Sequence, residues 1–382
     1  MKLAYVCADP GVPVYGAKGA SVHVQEVVRA LVRRGAQVTL LTPRAGGAAP
    51  PDLAGVRVVS LPAPPKGDLA RRELAALANN AALAEELARE GPFDAVYERL
   101  SLWSYAGMET ARRWGVPGLL EVNAPLVDEQ RAHRGLVHEA AARAVEARAV
   151  EAATALLPVS EGVSAYLAGF PGAAAKTFVT PNGVNPERFL PHRPDPAAFT
   201  VGFVGTLKPW HGVEALLSAF ARLRARVPAA RLLVVGEGPE RERLTAAAAR
   251  LGLGGAAEFT GALPPERVPE QLAQMDVAVA PYPELPDFYF SPLKVYEYMA
   301  AGVPVLASRV GQLADLLGDG RGGLLCPPGD VDALAGALLE LAENAPLRAR
   351  LGAAGRQKVL RAHTWERVAE RIVALAAPAG AP

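Results

Sequence analysis

Lys294 and Glu297 stand three residues apart in "FYFSPLKVYEYMAAG" (residues 288–302), just behind a cluster of aromatics. Ser291 reads as a helix N-cap, Pro292 as the first helical residue, and Gly302 with Pro304 as the stop. Lys294 then falls in the first helical turn, where the helix dipole disfavours a cation unless an anion lies near. Glu297 at i+3 shares its face, and an exposed pair of this kind would stabilise the helix by only ~0.2–0.5 kcal/mol. A pair turned to a cleft would instead offer a cation and a carboxylate to a polar ligand. "GFVGTLKPWHG" adds Lys208, Trp210 and His211 between a strand end and a helix start. Its two cation-capable groups could meet a phosphate, or Lys208 could be solvated beside a packed tryptophan. "LLEVNAP" sets Glu121 and Asn123 behind an apolar run, and "VYERLSLW" does the same for Glu98 and Arg99. All four are expected to face one cleft.

Three further motifs are less specific. "ADPGVPVYGAKGAS" is a glycine-rich loop entering a helix, suited either to an anion or to an ordinary turn with Ser21 as N-cap. It lacks G-x-G-x-x-G spacing and so argues poorly for a dinucleotide. In "VVGEGPERERL", Gly238 and Pro239 are explained by a turn into a helix. Asp330 and Asp332 form a D-x-D, but they open an alanine-rich helix after Pro-Pro-Gly. Capping and dipole complementarity account for both, so no metal is assigned to them.

These residues need strands and helices to hold them. Short apolar runs ("KLAYVCA", "QVTLLT", "VRVVSL", "FDAVYE", "VPGLLEV", "ALLPVS", "KTFVTP") alternate with amphipathic segments such as "SVHVQEVVRALVRRG". The pattern restarts after residue 200 with "TVGFVGT", "ARLLVVGEG", "AEFTGAL", "DVAVAPY", "VPVLAS" and "GGLLCPP". Such alternation predicts βαβ units and parallel sheets, hence α/β architecture in two doubly wound domains facing a central cleft. The Pro- and Asn-rich stretch around residues 183–199 reads as the linker. It leaves domains 1–182 and 200–363, with a terminal helix, 364–382, expected back on the first domain. In open parallel sheets ligands lie beyond the carboxyl ends of strands, where the candidate residues fall.

The chain has 382 residues, 51% of them hydrophobic and 21% charged, which suits a cored protein of two or three domains. Forty basic and 39 acidic residues give a net charge of +1, with no field to attract nucleic acid. Cys7 and Cys326 fit neither a disulfide framework nor a metal cluster. No apolar stretch reaches the ~18 residues of a spanning helix, so a cytoplasmic protein is expected.

At these same residues the chain resembles the retaining glycosyltransferases of family four, which have the GT-B fold of two Rossmann-like domains. The resemblance rests on "VTPNGVNPERFLP", "GFVGTLKPWHG", "VVGEGPER", "DVAVAPY", "YEYMAAGVPVLAS" and "GGLLCPPGDVDALAGAL", and on "HTWERVAERIVAL" as the helix that crosses back. "SPLK..EYMAAG" marks a variant subgroup. The resemblance implies a nucleoside-diphosphate sugar donor (UDP-, GDP- or ADP-linked), held mainly by the C-terminal domain, and a hydroxyl acceptor. Glu297 matches the second glutamate of an E-x7-E motif and would hold the ribose. Thr206 stands at the motif arginine and His211 at the motif lysine, so Lys208 and Lys294 become the candidate cations for the diphosphate. Gly205 and Ser291 complete the donor set on this domain, and Gly19 matches the glycine loop near the diphosphate. Asn123 stands where many members carry a histidine beside the reacting sugar. Arg99 and Glu121 fall on the acceptor side or behind the site. Tyr289 replaces the first glutamate, with Asp287 and Glu284 as substitute carboxylates.

The implied reaction is sugar transfer with retention, by front-face attack, without cofactor or metal. Lys208, Lys294 and helix-start N–H groups would stabilise the leaving diphosphate, and domain closure would exclude water. The alternatives are a sugar-nucleotide epimerase on the same fold and a silent nucleotide-sugar-binding subunit. The segment "EQRAHRGLVHEAAARAVEARAV" reads as helical, with Arg131, His133, Arg134, His138, Arg143 and Arg148 among interleaved glutamates. It is either a solvated helix or a weak peripheral contact for an anionic membrane.

Overall fold

The computed structural model describes residues 1–189, 197–285 and 288–377. Its contacts divide the chain into two units. The first holds Met1–Asn182, Tyr289–Ser291 and the chain from Trp365 onward; the second holds the rest.

The first unit is built on β1 (Lys2–Val6), α1 (Gly19–Arg33), β2 (Gln37–Thr42), β3 (Arg57–Ser60), α2 (Leu69–Glu90), β4 (Ala95–Arg99), α3 (Ala106–Trp114), β5 (Gly118–Val122), α4 (Leu126–His133), α5 (Glu139–Ala152), β6 (Ala155–Pro158) and α6 (Glu161–Leu167). The strands are parallel, in the order β3-β2-β1-β4-β5-β6. β1, β4, β5 and β6 are buried almost without interruption, as a sheet covered on both faces requires. Asp68 caps α2 by accepting the Arg71 N–H at 2.9 Å, which fixes how that helix leaves β3.

The second unit contains β7 (Thr200–Val204), α7 (Val213–Arg226), β8 (Arg231–Val235), α8 (Arg241–Arg250), β9 (Ala257–Gly261), α9 (Val268–Leu272), β10 (Val277–Ala280), α10 (Leu293–Ala300), β11 (Val305–Ser308), α11 (Gly311–Leu317), β12 (Gly323–Cys326), α12 (Val331–Glu343) and α13 (Ala345–Ala362). Its parallel order, β12-β11-β10-β7-β8-β9, repeats that of the first sheet. Two apolar clusters cover its faces. Phe203, Leu216, Phe220 and Leu338 belong to one, and Tyr296, Tyr298, Met299 and Leu313 to the other. α14 (Trp365–Ala376) packs against α1 in the first unit, where the Trp365 indole meets His23 edge-on at 5.0 Å.

The alternation of strands and helices therefore gives two doubly wound α/β domains, the GT-B architecture. Two expectations fail locally. "KTFVTP" forms no named strand. It only lends the Phe178 and Thr180 N–H groups to the Leu156 and Pro158 carbonyls at the sheet edge (both 2.8 Å), with Pro181 preventing further pairing. The basic segment after residue 129 is not one helix. It breaks between α4 and α5, where Gly135 takes φ +80° and the buried Glu73 accepts the Val137 and His138 N–H groups at 3.0 and 2.8 Å.

Candidate functional site

In each doubly wound sheet the strand order reverses at one point, β1/β4 in the first and β7/β10 in the second. Ligand crevices form beyond the carboxyl ends of strands at such points.

In the second unit this place is occupied by Lys294. Its Nζ is buried and makes no hydrogen bond among the described residues. It lies 4.3 Å from the Phe203 ring centroid, at the end of β7, and 5.2 Å from that of Tyr282, which follows β10. Gly205 takes φ +149°, and a Cβ there would approach Nζ to 3.0 Å, so the glycine makes room for the amine. Burial pushes the amine down to about 7, against a smaller upward pull from Glu297. The helix carrying it, α10, has no side-chain cap and no acid in its first turn. Its start thus offers free N–H groups and the positive end of a dipole. Glu297, half-buried, lies one turn further along the same helix.

The loop after β7 completes the cluster. Gly212 (φ +67°) lies so close to the loop after β10 that a Cβ would come within 1.8 Å of the Pro281 carbonyl oxygen. Thr206 is exposed, and its carbonyl accepts the Nδ1–H of His211. Burial, followed by the Lys294 and Lys208 charges, pushes His211 down to about 3. The expected second cation of this loop is therefore a neutral imidazole, because it sits among aromatics (Tyr282 at 5.7 Å, Phe203 at 6.1 Å) and beside two lysines. Lys208 instead reaches over Trp210, 5.4 Å from its ring centroid.

Other expectations on this segment are corrected. Ser291 is not the cap of α10, which begins at Leu293 with Pro292 as the capping residue. The Ser291 hydroxyl accepts the Asn182 N–H at 3.2 Å and its carbonyl accepts Asn182 Nδ2 at 2.7 Å, both within the first unit. Tyr289 also joins the first unit. Its ring packs on that core, its hydroxyl donates to Glu129 at 3.1 Å, and its carbonyl accepts the Ser160 hydroxyl at 2.6 Å. It is thus not grouped with Lys294 and Glu297. Glu284 is exposed in the second unit, and Asp287 lies outside the described residues.

In the first unit, Glu121 is the centre. It is 2% exposed and receives four donors: His23 Nε2 at 2.8 Å, Arg99 at 2.6 Å, the Tyr97 hydroxyl and Asn123 Nδ2. Burial would raise its pKa, but the His23 and Arg99 charges and the hydrogen bonds outweigh that and hold it well below the usual carboxylate range. An ionised carboxylate only accepts, so Asn123 turns its NH2 inward and its carbonyl oxygen away. Glu98 does not join this group, because alternate strand residues face opposite sides of a sheet. It points to the start of α3, where Ser104 donates to it and Gly107 clears its path; a Cβ there would lie 2.2 Å from its oxygen. Burial pushes Glu98 up to about 7. At the glycine loop, α1 starts at Gly19, with no side-chain cap and no acid in its first turn. Ser21 is inside the helix and buried, so it is not the N-cap.

Sequence reasoning missed the cage residues Phe203 and Tyr282 and the Glu121 partners Tyr97 and His23. Tyr97 shares strand parity with Arg99, which was a usable signal. His23 lies 98 residues from Glu121 and left none. Asp330 caps α12 through the Ala333 N–H (2.8 Å) and Asp332 pairs with Arg222. The basic residues of α4 and α5 are paired as well. Arg131 and Arg143 each meet Asp128 and Glu139, Arg134 meets Glu129, and Arg148 meets Glu109. Among the described residues no helix is long and apolar enough to cross a membrane.

Comparison with known proteins identifies the family and the fold. The family model described as glycosyltransferase family 4 matches residues 17–188, and that described as glycosyl transferases group 1 matches residues 198–344. A D-inositol 3-phosphate glycosyltransferase from Stackebrandtia nassauensis is 32% identical over 94% of this chain and 86% of its own. The sucrose-phosphate synthase structure from Thermosynechococcus elongatus superposes with a TM-score of 0.77 at 24% identity, over 98% of both chains. Anabaena HepE, solved with UDP and glucose, gives 0.72 at 19%, also over 98% of both. At such identities the two structures speak to the fold, which is GT-B. The chain belongs to glycosyltransferase family 4 and is a glycosyltransferase.

Proposed function

We propose that the second unit binds a nucleoside-diphosphate sugar and that the enzyme passes the sugar to an acceptor hydroxyl with retention of anomeric configuration. The observation that carries this reading is the Lys294 amine, buried without a hydrogen-bond partner among the described residues, at the uncapped start of α10. A withdrawn, unpartnered cation is costly unless an anion completes it. A diphosphate there would meet the amine and the helix-start N–H groups, with Lys208 as a second cation. Glu297, one turn along, would accept the ribose hydroxyls. The same cations supply the charge that departure of the diphosphate develops, so the reaction is assigned no metal. Asn123 and Gly19 are assigned to the sugar and the diphosphate by their place in the family motifs. Front-face attack, with the leaving phosphate oxygen taking the acceptor proton, is the course we assign, because no enzymic nucleophile is evident among the described candidate site residues.

UDP is the first donor fragment to test, because a structural relative was solved with it. Calorimetric titration of UDP into wild type and Glu297→Ala tests the assignment. Loss of binding in the folded variant is expected, and unchanged affinity would remove the ribose role. Proton NMR of the product from UDP-glucose and an acceptor tests retention; an inverted anomeric signal would refute it.

A further inference from the structure

Glu121 has no capacity left for a ligand. A carboxylate offers two oxygens, each able to accept two hydrogen bonds in its plane. Oε1 accepts from Arg99 at 2.6 Å and from Asn123 Nδ2, while Oε2 accepts from His23 Nε2 at 2.8 Å and from the Tyr97 hydroxyl. The protein fills all four places, so Glu121 can influence a ligand only through a neighbour. Tyr97 and His23 are buried, and each is braced by a further ring. Tyr5 lies 5.0 Å from Tyr97, and Trp365 meets His23 edge-on. Asn123 differs from them. It is half-buried and follows the last residue of β5, at the carboxyl side of the sheet, where ligands of open parallel sheets lie.

The carboxylate decides what Asn123 presents there. The two ends of a side-chain amide have nearly the same shape, so its hydrogen-bond partners determine which end turns outward. An ionised carboxylate takes only a donor, and the NH2 group is therefore drawn inward. Asn123 Oδ1 is left without a hydrogen bond among the described residues. Burial works against the ionised form of Glu121, and the His23 and Arg99 charges with their hydrogen bonds overcome it. A chain of contacts thus runs from Trp365 on α14 through His23 on α1 and Glu121 on β5 to the Asn123 amide.

We propose that Glu121 and His23 are positioning residues for sugar transfer. They hold the Asn123 carbonyl oxygen outward as a hydrogen-bond acceptor, so the group it meets is a hydroxyl of the transferred sugar. The proposal rests on the reading of Asn123 as a residue beside that sugar. Without the carboxylate the amide can turn over, and binding then bears the cost of ordering it.

One test needs no ligand. The Asn123 side-chain amide is followed by NMR in the full chain and assigned by its absence from the Asn123→Ala spectrum. Held against a buried carboxylate, its protons should exchange slowly with water. Glu121→Gln keeps the side-chain shape without the charge and should remove that protection. His23→Leu should do the same in smaller measure, and His23→Gln, which can still donate, should restore it. Signals untouched in both Glu121→Gln and His23→Leu would overturn the proposal. If Glu121→Gln does not fold, the two His23 variants decide the matter.

The second test is the ratio of UDP-glucose to UDP affinity by calorimetry. It should fall roughly fivefold in Asn123→Ala and roughly threefold in Glu121→Gln, and no further in the double variant than in Asn123→Ala. Losses that add in the double variant would overturn the proposal, as would Glu121→Gln weakening UDP and UDP-glucose alike. A ratio unmoved by Asn123→Ala, or no UDP binding at all, would instead sink the reading on which the proposal rests. The amide signals would still judge whether Glu121 holds Asn123.

Discussion

Glu121 in the first unit and Lys294 in the second are both charged groups withdrawn from water at the carboxyl side of a parallel sheet. Their surroundings differ completely. Glu121 accepts from four donors, two of them on cation-capable side chains. Lys294 has two aromatic faces and no hydrogen bond among the described residues. The first charge is held lower than the ordinary carboxylate range, so its ionised form is stabilised where it lies. Lys294 is also pushed down, to about 7, but for an amine a lowered value means that its charged form is disfavoured until something joins it. A satisfied buried charge builds the scaffold, and an unsatisfied one marks where a ligand completes the site.

Removing Glu121 should do the greatest damage. Glu121→Ala strips the carboxylate from between Arg99 and His23 and is expected to destabilise the fold by about 3–5 kcal/mol in urea denaturation. A loss under about 1 kcal/mol would place the group nearer water than its surroundings indicate.

The Lys294 amine should next show itself in pH dependence. Its folded pKa of about 7 lies below the ordinary lysine value of 10.5, so between those values the unfolded chain binds more protons than the folded one. Stability contributed by this group therefore rises with pH from about 7 towards 10.5, with a slope of at most ~1.4 kcal/mol per pH unit, and its penalty is complete below about 7. UDP affinity should move oppositely and weaken above about pH 7, because the diphosphate needs the charged amine. The difference between wild type and Lys294→Met across pH 6–9 isolates the contribution; parallel curves would contradict it.

Smaller tests sharpen the contrast. Tyr97→Phe removes one of four donors to Glu121 and should cost about 1–2 kcal/mol by thermal unfolding, with Glu121 still paired. A cost equal to that of Glu121→Ala would show that Tyr97 holds the network together alone. His211→Gln should change UDP affinity by less than roughly threefold, since a neutral ring is replaced by a neutral amide that can still reach the Thr206 carbonyl. A loss near that of a removed lysine would mean the ring carries charge in the bound state.

The alternating apolar runs made both sheets legible, because fully buried parallel strands leave continuous hydrophobic segments that helices interrupt. "KTFVTP" imitated such a run, yet prolines at the sheet edge limit it to two hydrogen bonds. Lys294 and Glu297 were legible as a pair from their i+3 spacing, and the poor fit of a lysine to a helix start suggested an anion. What remained hidden was the surface each side chain meets. Glu98 and Arg99 look equivalent in sequence, but strand alternation sends one into the start of α3 and the other to Glu121. His211 is cation-capable by type, and burial beside the rings of Phe203 and Tyr282, together with the Lys294 and Lys208 charges, pushes it down to about 3. Ser291 carried every mark of an N-cap, yet its hydroxyl and carbonyl are committed to Asn182, a partner 109 residues away.

The most direct test of the account is thermal unfolding of wild type and Lys294→Met, each with and without saturating UDP. The account predicts that Lys294→Met melts at or above the wild-type temperature, since a buried unpaired charge has been replaced by an apolar chain, and that UDP no longer raises it. A variant that melts well below wild type, or that UDP still stabilises to the wild-type extent, would contradict it.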